Sequence, residues 1–465
     1  MEKLSATERK GFIQGAGKSN IGGGKGKGGF LKGAAWIALG GFTAKVIGGL
    51  YRIPLANLLG GEGIGLYQLV YAVYCLFLTV AATGIPSSVA KLTAERIGKR
   101  QSAQPLLKKS LAFFSIVGVV ASLLMAVVAP FLAKAQGAES AVFGYYALAP
   151  SVALVAVISV FRGYFQGKND MLPTAISEVA EQVVKVGFGL LFAYLFRGNL
   201  TRTVLWLLLA VSLSELFTAV LLYAMYRRSK SGEKVENDGG RYALKKILRL
   251  SIPVTFSGIL LPASALLDSV LAPRLLSAYA DNSVALYGLF AGGAITLINL
   301  PVSVCYGLAA ASVPIVSTAV AEGRRGGARK RIRFSLFVTA AVALPCAVGL
   351  YAFADIAVKI VYRNLPSEEL QTLISLTRAL SVSALTLSCA QTLSACLTAQ
   401  GKPQYAAVSW FVAMAVKTVC YYFWLKKPSV SVFGLAYATN LAYLVAFLLN
   451  LMYNFFVTKK TRSNE

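Results

Sequence analysis

The chain of 465 residues contains no histidine. That excludes a histidine-based catalytic triad, a histidine metal site and an imidazole proton relay. Acidic residues are scarce: 19 Asp and Glu stand against 46 Lys and Arg, and charged residues of all kinds make up only 14% of the sequence. Soluble chains carry about 25%. The six cysteines form no Cys-x-x-Cys, and Cys75, Cys305, Cys346, Cys389, Cys396 and Cys420 all fall in apolar stretches. Neither a disulfide framework nor a zinc site is predicted, and no other metal site is expected.

What the sequence has in abundance is apolar length. Hydrophobic residues make up 56% of it, and the mean hydropathy is +0.64. A bilayer crossing needs about 20 such residues. About twelve segments qualify, near 31–58, 64–84, 109–133, 143–165, 173–196, 203–226, 248–275, 284–311, 334–361, 370–397, 404–425 and 431–457. Six fall in each half, so the expectation is an all-α integral membrane protein of two six-helix lobes. The boundaries expected are a first lobe over 31–226, a polar linker over 227–247 and a second lobe over 248–457, with a short cytoplasmic tail over 458–465. Residues 1–30 are Gly- and Lys-rich rather than apolar, which predicts a disordered basic cytoplasmic tail and no leader peptide.

The net charge of +27 invites a nucleic-acid reading, but its distribution argues for topology. If the first tail is cytoplasmic, the loops on that side hold 33 Lys and Arg and the opposite loops hold 8. That asymmetry follows the positive-inside rule and puts both termini in the cytoplasm of a multi-pass plasma-membrane protein. The basic loops are expected to meet anionic lipid heads, with no nucleic-acid partner. Gly17-Lys18-Ser19 resembles the end of a phosphate-binding P-loop, but Phe12 stands where that motif needs a glycine. ATP is not expected as a partner.

The two halves repeat one another. Gln166-Gly167-Lys168 recurs as Gln400-Gly401-Lys402, and each is followed by a Ser and, eight residues on, a Lys: Ser177 and Lys185, then Ser409 and Lys417. Pro86-Ser87-Ser88-Val89 likewise returns as Pro301-Val302-Ser303-Val304. Parallel halves in a membrane chain are the signature of a transporter with its site between them. The segment around Ala90–Arg96 reads as a short amphipathic cytoplasmic helix with a counterpart at Thr318–Gly323; gate and plain connector are both open readings. Pro253, Pro262 and Pro273 mark the seventh segment as a bending element or a static kink.

An ionisable residue at bilayer depth costs about 2.5–3.5 kcal/mol on insertion scales and is a functional hypothesis by default. The first segment carries Lys45 and Arg52, seven residues apart on one face. The fifth carries Glu178, Glu181 and Lys185, also on one face. Glu215, Asp268, Arg378 and Lys417 lie in later segments. Glu181 and Lys185, at i and i+4, are placed to offset one another in part. Lys417 has no acidic residue on its own face. A two-fold relation between the halves would set Lys185 and Lys417 facing each other across a cleft. With Lys45, Arg52 and Arg378, they make a cationic binding site for a phosphate or pyrophosphate head. Glu178, Glu181 and Asp268 are left for charge balance or ion coupling. No nucleophile–base pair suggests an enzyme, and no catalytic residue is expected.

Several stretches carry a family resemblance. They are Leu50-Tyr51-Arg52-Ile53-Pro54, Gly63-Ile64-Gly65-Leu66-Tyr67-Gln68, Arg162-Gly163-Tyr164-Phe165-Gln166-Gly167 with Met171 to Ser177, Glu181-Gln182, and Ser251-Ile252-Pro253 with Leu267-Asp268-Ser269. With these the chain resembles the polysaccharide-transporter branch of the multidrug/oligosaccharidyl-lipid/polysaccharide (MOP) exporter superfamily, in the group similar to stage V sporulation protein B and the lipid II flippases. The resemblance implies a V-shaped bundle that alternates between inward- and outward-open states. It implies an undecaprenyl-pyrophosphate-linked saccharide as substrate, lipid II or a related wall or polysaccharide precursor. It also implies that Lys45 and Arg52 occupy the region where flippase arginines hold the pyrophosphate. Tyr51-Arg52 replaces the flippase Arg-Asp, and Gly65-Leu66 stands where an early acidic residue is found. The flippases also commonly carry two further C-terminal helices. These departures bear on the sugar rather than the fold.

No cofactor is expected. Transport would draw on a Na+ or H+ gradient or the membrane potential, in a protein that works as a monomer. The alternatives are a cation-coupled multidrug antiporter of the same superfamily, which calls for a more acidic cavity, and a non-transporting membrane scaffold in envelope or spore assembly, whose charges would pair internally.

Overall fold

In hydrocarbon a backbone can satisfy its N–H and C=O groups only within itself, and long apolar runs such as these close that account as helix. The computed structural model describes residues 25–196, 198–229, 241–321 and 325–460, and among them there are helices and no strand. In chain order they are α1 (Lys25–Ala82), α2 (Ile85–Gly98), α3 (Gln104–Ala135), α4 (Val142–Gly167), α5 (Leu172–Leu195), α6 (Leu200–Ser229), α7 (Arg241–Gly258) and α8 (Leu260–Leu276). Then follow α9 (Ser283–Gly288), a π-helical turn (Leu289–Ala294), α10 (Ile295–Ala321), α11 (Arg325–Ala352), α12 (Ala354–Val361), α13 (Ser367–Ala399), α14 (Pro403–Trp424) and α15 (Phe433–Lys460).

Nine described helices are long and apolar enough to cross a bilayer, and a tenth span is formed if α7 and α8 count as one bent pair. The remaining two of the twelve expected segments have physical explanations. The first two run together in α1, which breaks at Gly60, where φ is +64° and ψ −174°. Only glycine adopts that backbone readily. The fifth, α5, is 24 residues long but carries Glu178, Glu181 and Lys185.

Boundaries differ from the sequence reading in several places, among them the last helix, which runs on to Lys460. The first helix begins at Lys25 rather than residue 31, which shortens the expected tail; residues 1–24, including Gly17-Lys18-Ser19, lie outside the described residues. The expected linker 227–247 is helical at 227–229 and again from Arg241, and 230–240 lie outside the described residues. The seventh segment is broken by a bend of 50° between α7 and α8. Pro262 has no N–H to offer the Gly258 carbonyl four residues back, so the helical ladder is interrupted where the break occurs. The ninth segment ends at Ala352 and resumes as the short α12. The amphipathic segment around 90–96 forms α2, and its counterpart closes α10 at Ala321; residues 322–323 lie outside the described residues.

The end of the bundle at which α1 begins and α15 finishes is here termed the near end, and the opposite one the far end. Helices α1 to α6 pack on one another, with α4 against α2, α3 and α6, and α5 between α1 and α6. In the second bundle α13 is central, against α10, α11 and α15, and α14 packs on α15. Glycines let α5 lie close to α1: a Cβ on Gly40 would stand 2.8 Å from Ala175, and one on Gly48 2.9 Å from the Gln182 side chain.

The bundles meet at both ends. At the far end α1 crosses α9 so closely that a Cβ on Gly65 would lie 2.1 Å from the Val284 carbonyl oxygen, and one on Gly288 2.2 Å from that of Gly61. There the Gly61 N–H donates to Glu369 Oε2 at 3.0 Å, and the Asn57 side chain donates to the Val361 carbonyl at 2.7 Å. At the near end Ser251 Oγ donates to Ser88 Oγ at 2.9 Å, and Lys246 Nζ lies 2.5 Å from Glu95 Oε2. Between these closures lies a cleft.

Candidate functional site

Two adjoining cavities make up the cleft. One, of about 400 Å³, lies toward the first bundle and is lined by Lys45, Arg52, Tyr67, Lys185 and Thr296 among others. The other, of about 300 Å³, lies toward the second and is lined by Asp268, Tyr287, Trp410, Lys417 and Tyr443 among others. Arg52, Tyr71 and Asn299 line both, so Arg52 stands at the junction. Among the described residues the Asp, Glu, Lys and Arg of the lining amount to four cations (Lys45, Arg52, Lys185 and Lys417) and one carboxylate, Asp268.

Each cation is held differently. Arg52 Nη1 donates to Thr296 Oγ1 at 2.7 Å, a bond from α1 to α10 that spans the two bundles. Its guanidinium has no carboxylate partner among the described residues, which leaves further donors free. Lys45 is exposed, with Nζ 4.5 Å from the centre of the Tyr306 ring, also across the bundles. A lysine over an aromatic face is held by the ring's quadrupole but keeps its full charge. Lys185 is partly buried on α5 and makes no ion pair with any described residue. The expected partial offset by Glu181 acts at a distance, together with Glu215, and not through a direct ion pair: Glu181 Oε2 accepts from Arg162 Nη2 at 2.9 Å, while Arg162 Nε donates to Ser177 Oγ at 3.0 Å. Arg162 on α4 offers a rigid fork that suits a carboxylate better than the ammonium of Lys185 does.

Lys417 is the cation that is neutralised. Nζ lies 2.5 Å from Asp268 Oδ2 on α8, with the two side chains only 7% and 13% exposed, and it also reaches Ser264 Oγ at 3.4 Å. Lys417 finds on another helix the acid that its own face lacks. Lys185 and Lys417, equivalent in the repeat, therefore do not act as an opposed free pair: one is unpaired in the first cavity, the other paired in the second. Arg378 is not brought to the cleft. It pairs with Asp355 at 2.7 Å with both side chains more than 40% exposed, and it lines neither cavity. Glu178 and Glu181 do not line it either; Glu178 Oε2 packs near Gly41 of α1. Glu215 is buried in α6, and its Oε2 makes no hydrogen bond.

The sequence reading missed the aromatic wall. Tyr67, Tyr71 and Tyr74 lie at i, i+4 and i+7 on α1. Tyr67 and Tyr71 stack with centroids 5.5 Å apart, and Tyr71 and Tyr74 are also 5.5 Å apart. That spacing was visible in the sequence. The Thr296 partner of Arg52 gave no signal, because it depends on how α10 lies against α1.

Comparison with known proteins fits this architecture. Residues 30–320 match the family described as polysaccharide biosynthesis protein, and residues 253–423 match the MatE family. Stage V sporulation protein B of Bacillus subtilis (strain 168) is 26% identical over 72% of this chain and 67% of its own length. The lipid II flippase MurJ of the same organism is 23% identical over 92% of this chain and 82% of its own. Among solved structures, an inward-facing multidrug resistance transporter of the MATE family superposes with a TM-score of 0.76 at 17% identity, covering 90% of this chain and 95% of that one. By name, the second of these relatives is a flippase and the superposed structure is a transporter. With a match over most of its length, the chain belongs to the polysaccharide biosynthesis protein family, with apolar helices long enough for a multi-pass membrane protein and the fold of a MATE-family transporter.

Proposed function

We propose that this transporter moves an undecaprenyl-pyrophosphate-linked saccharide, lipid II or a related precursor of wall or surface polysaccharide, across the cytoplasmic membrane by alternating access. The observation that carries the reading is the cleft's charge: four cations against one carboxylate in the lining, with Lys45, Arg52 and Lys185 in no direct salt bridge to a described residue. Cations left unpaired at bilayer depth repel one another unless an anion joins them. A pyrophosphate supplies several acceptor oxygens to guanidinium and ammonium donors. Arg52, at the junction of the cavities, and Lys185 are its principal ligands, with Lys45 at the mouth. The tyrosine wall at Tyr67 and Tyr71 gives the sugar an apolar face with polar edges. The name of one relative, a lipid II flippase, supports the same substrate class.

With 33 basic residues in the loops at the near end against 8 opposite, the near end and both termini face the cytoplasm. Loading then occurs there, and a net negative head group moves outward with the membrane potential or a coupled Na+ or H+ gradient. The cleft is complete within one chain, so a monomer suffices. A cation-coupled drug antiporter is the second reading. The MatE match over 253–423 favours it, but the cleft's single carboxylate, Asp268, is already occupied by Lys417.

The test is native mass spectrometry of the purified protein with lipid II, alongside complementation of a flippase-deficient strain. Binding that disappears when the pyrophosphate is removed from the ligand is expected. Equal binding of a hydrophobic cation, with none of the pyrophosphate lipid, would favour the antiporter.

A further inference from the structure

Away from the central cleft, a groove of about 470 Å³ lies between α11 and α15 near their near-end termini. Arg329 and Arg333 stand along it one helical turn apart, and Leu336, Leu451, Met452 and Phe455 are among the residues that line it. Among the described residues no acidic side chain does. Leu451, Met452 and Phe455 are 40–45% exposed, as fits a wall that faces lipid. Arg329 is exposed, and its guanidinium sits 5.1 Å from the centre of the Phe455 ring on α15.

Two features call for an anion. Like charges at i and i+4 on a helix destabilise it unless a counter-charge bridges them. The apolar crossing of α11 runs from Gly327 to Ala352, so both arginines lie at the start of the span, at head-group depth. A groove with two guanidiniums at that depth and an apolar wall running inward has the polarity of a single phospholipid. We propose that it binds one anionic membrane phospholipid, its phosphate between Arg329 and Arg333 and one acyl chain along Leu336, Leu451 and Met452. Guanidinium forks suit phosphate oxygens, and basic pockets between membrane helices take anionic lipid heads on charge alone.

The experiment uses the full chain reconstituted into vesicles of equal parts phosphatidylglycerol and phosphatidylethanolamine, extracted in mild detergent and examined by native mass spectrometry. One phosphatidylglycerol retained in preference to phosphatidylethanolamine is the expected result. R329Q/R333Q lowers that retention by about 30-fold. M452W keeps both charges but fills the apolar part, and it also loses the lipid; R329K/R333K keeps most of it. Unchanged thermal unfolding of the lipid-free variants separates a lost ligand from a lost fold. The proposal is overturned if wild type and R329Q/R333Q retain phosphatidylglycerol equally, if phosphatidylethanolamine is retained as well, or if no lipid is retained. It is also overturned if a co-purified polyprenyl pyrophosphate or a second copy of the chain occupies the groove.

Discussion

Lys185 and Lys417 hold equivalent places in the two halves, yet one is unpaired and the other is 2.5 Å from Asp268. That difference sets different outcomes for substitution. Arg52→Ala and Lys185→Ala remove cations that have no acidic partner, so the fold is retained and affinity for a pyrophosphate lipid falls by about tenfold or more each. Charge-assisted hydrogen bonds contribute about 1.5–3 kcal/mol. Titration of the purified variants with lipid II checks this, and unchanged affinity in Lys185→Ala would remove that residue from the site. Lys417→Met instead leaves Asp268 buried and alone, and breaking a buried pair in this way costs about 3–5 kcal/mol. Thermal unfolding should show that loss, with most of it recovered in Asp268→Leu/Lys417→Met. If the single and double variants melt alike, the pair does not couple as its geometry implies.

At the scale of the helix, two interruptions shape the cleft. Gly60 bends α1 at a backbone position open to glycine alone, and the segments on either side carry Arg52 and Tyr71 into the same cavities. Gly60→Ala should cost about 1–3 kcal/mol and weaken substrate binding without touching a ligand; wild-type melting and binding would show that the bend is not required. Pro262 makes the second break. Pro262→Ala restores the missing N–H, and straightening of the α7–α8 bend is the expected result, read as a change in distance between spin labels on the two helices. The sequence showed the proline cluster in the seventh segment, and Gly60 lay at the gap between the first two segments. It did not show which proline breaks the helix, because that depends on where the freed carbonyl meets a partner.

For the whole molecule, alternating access requires the bundles to part at one end while meeting at the other. Contacts join them at both: Gly65 beneath Val284 at the far end, Ser88 and Ser251 at the near end. Ser88 and Ser251 are 2.9 Å apart through their hydroxyls, close enough for a disulfide between cysteines placed there. In a background lacking the six native cysteines, oxidised S88C/S251C is expected to stop transport into vesicles, and reduction to restore it. Transport at the full rate with the cross-link formed would mean that α2 and α7 move as one body during the cycle.

The sequence alone determined the fold class, the long apolar helices, the repeat and the excess of cations over acids. Each of these is written in local pattern: apolar length, loop charge and spacing. Position within an apolar segment singles out Lys45, Arg52, Lys185, Arg378 and Lys417 as candidates; all of them line the cleft except Arg378, which turns to Asp355 instead. Tertiary structure alone decided which charges are free. Arg162 reaches Glu181, Asp268 reaches Lys417 and Thr296 reaches Arg52 across separations of 19, 149 and 244 residues. Pairing across such distances depends on how helices lie against one another, which the glycines of α1 and the bends at Gly60 and Gly258 set, and no periodicity in a single segment encodes it.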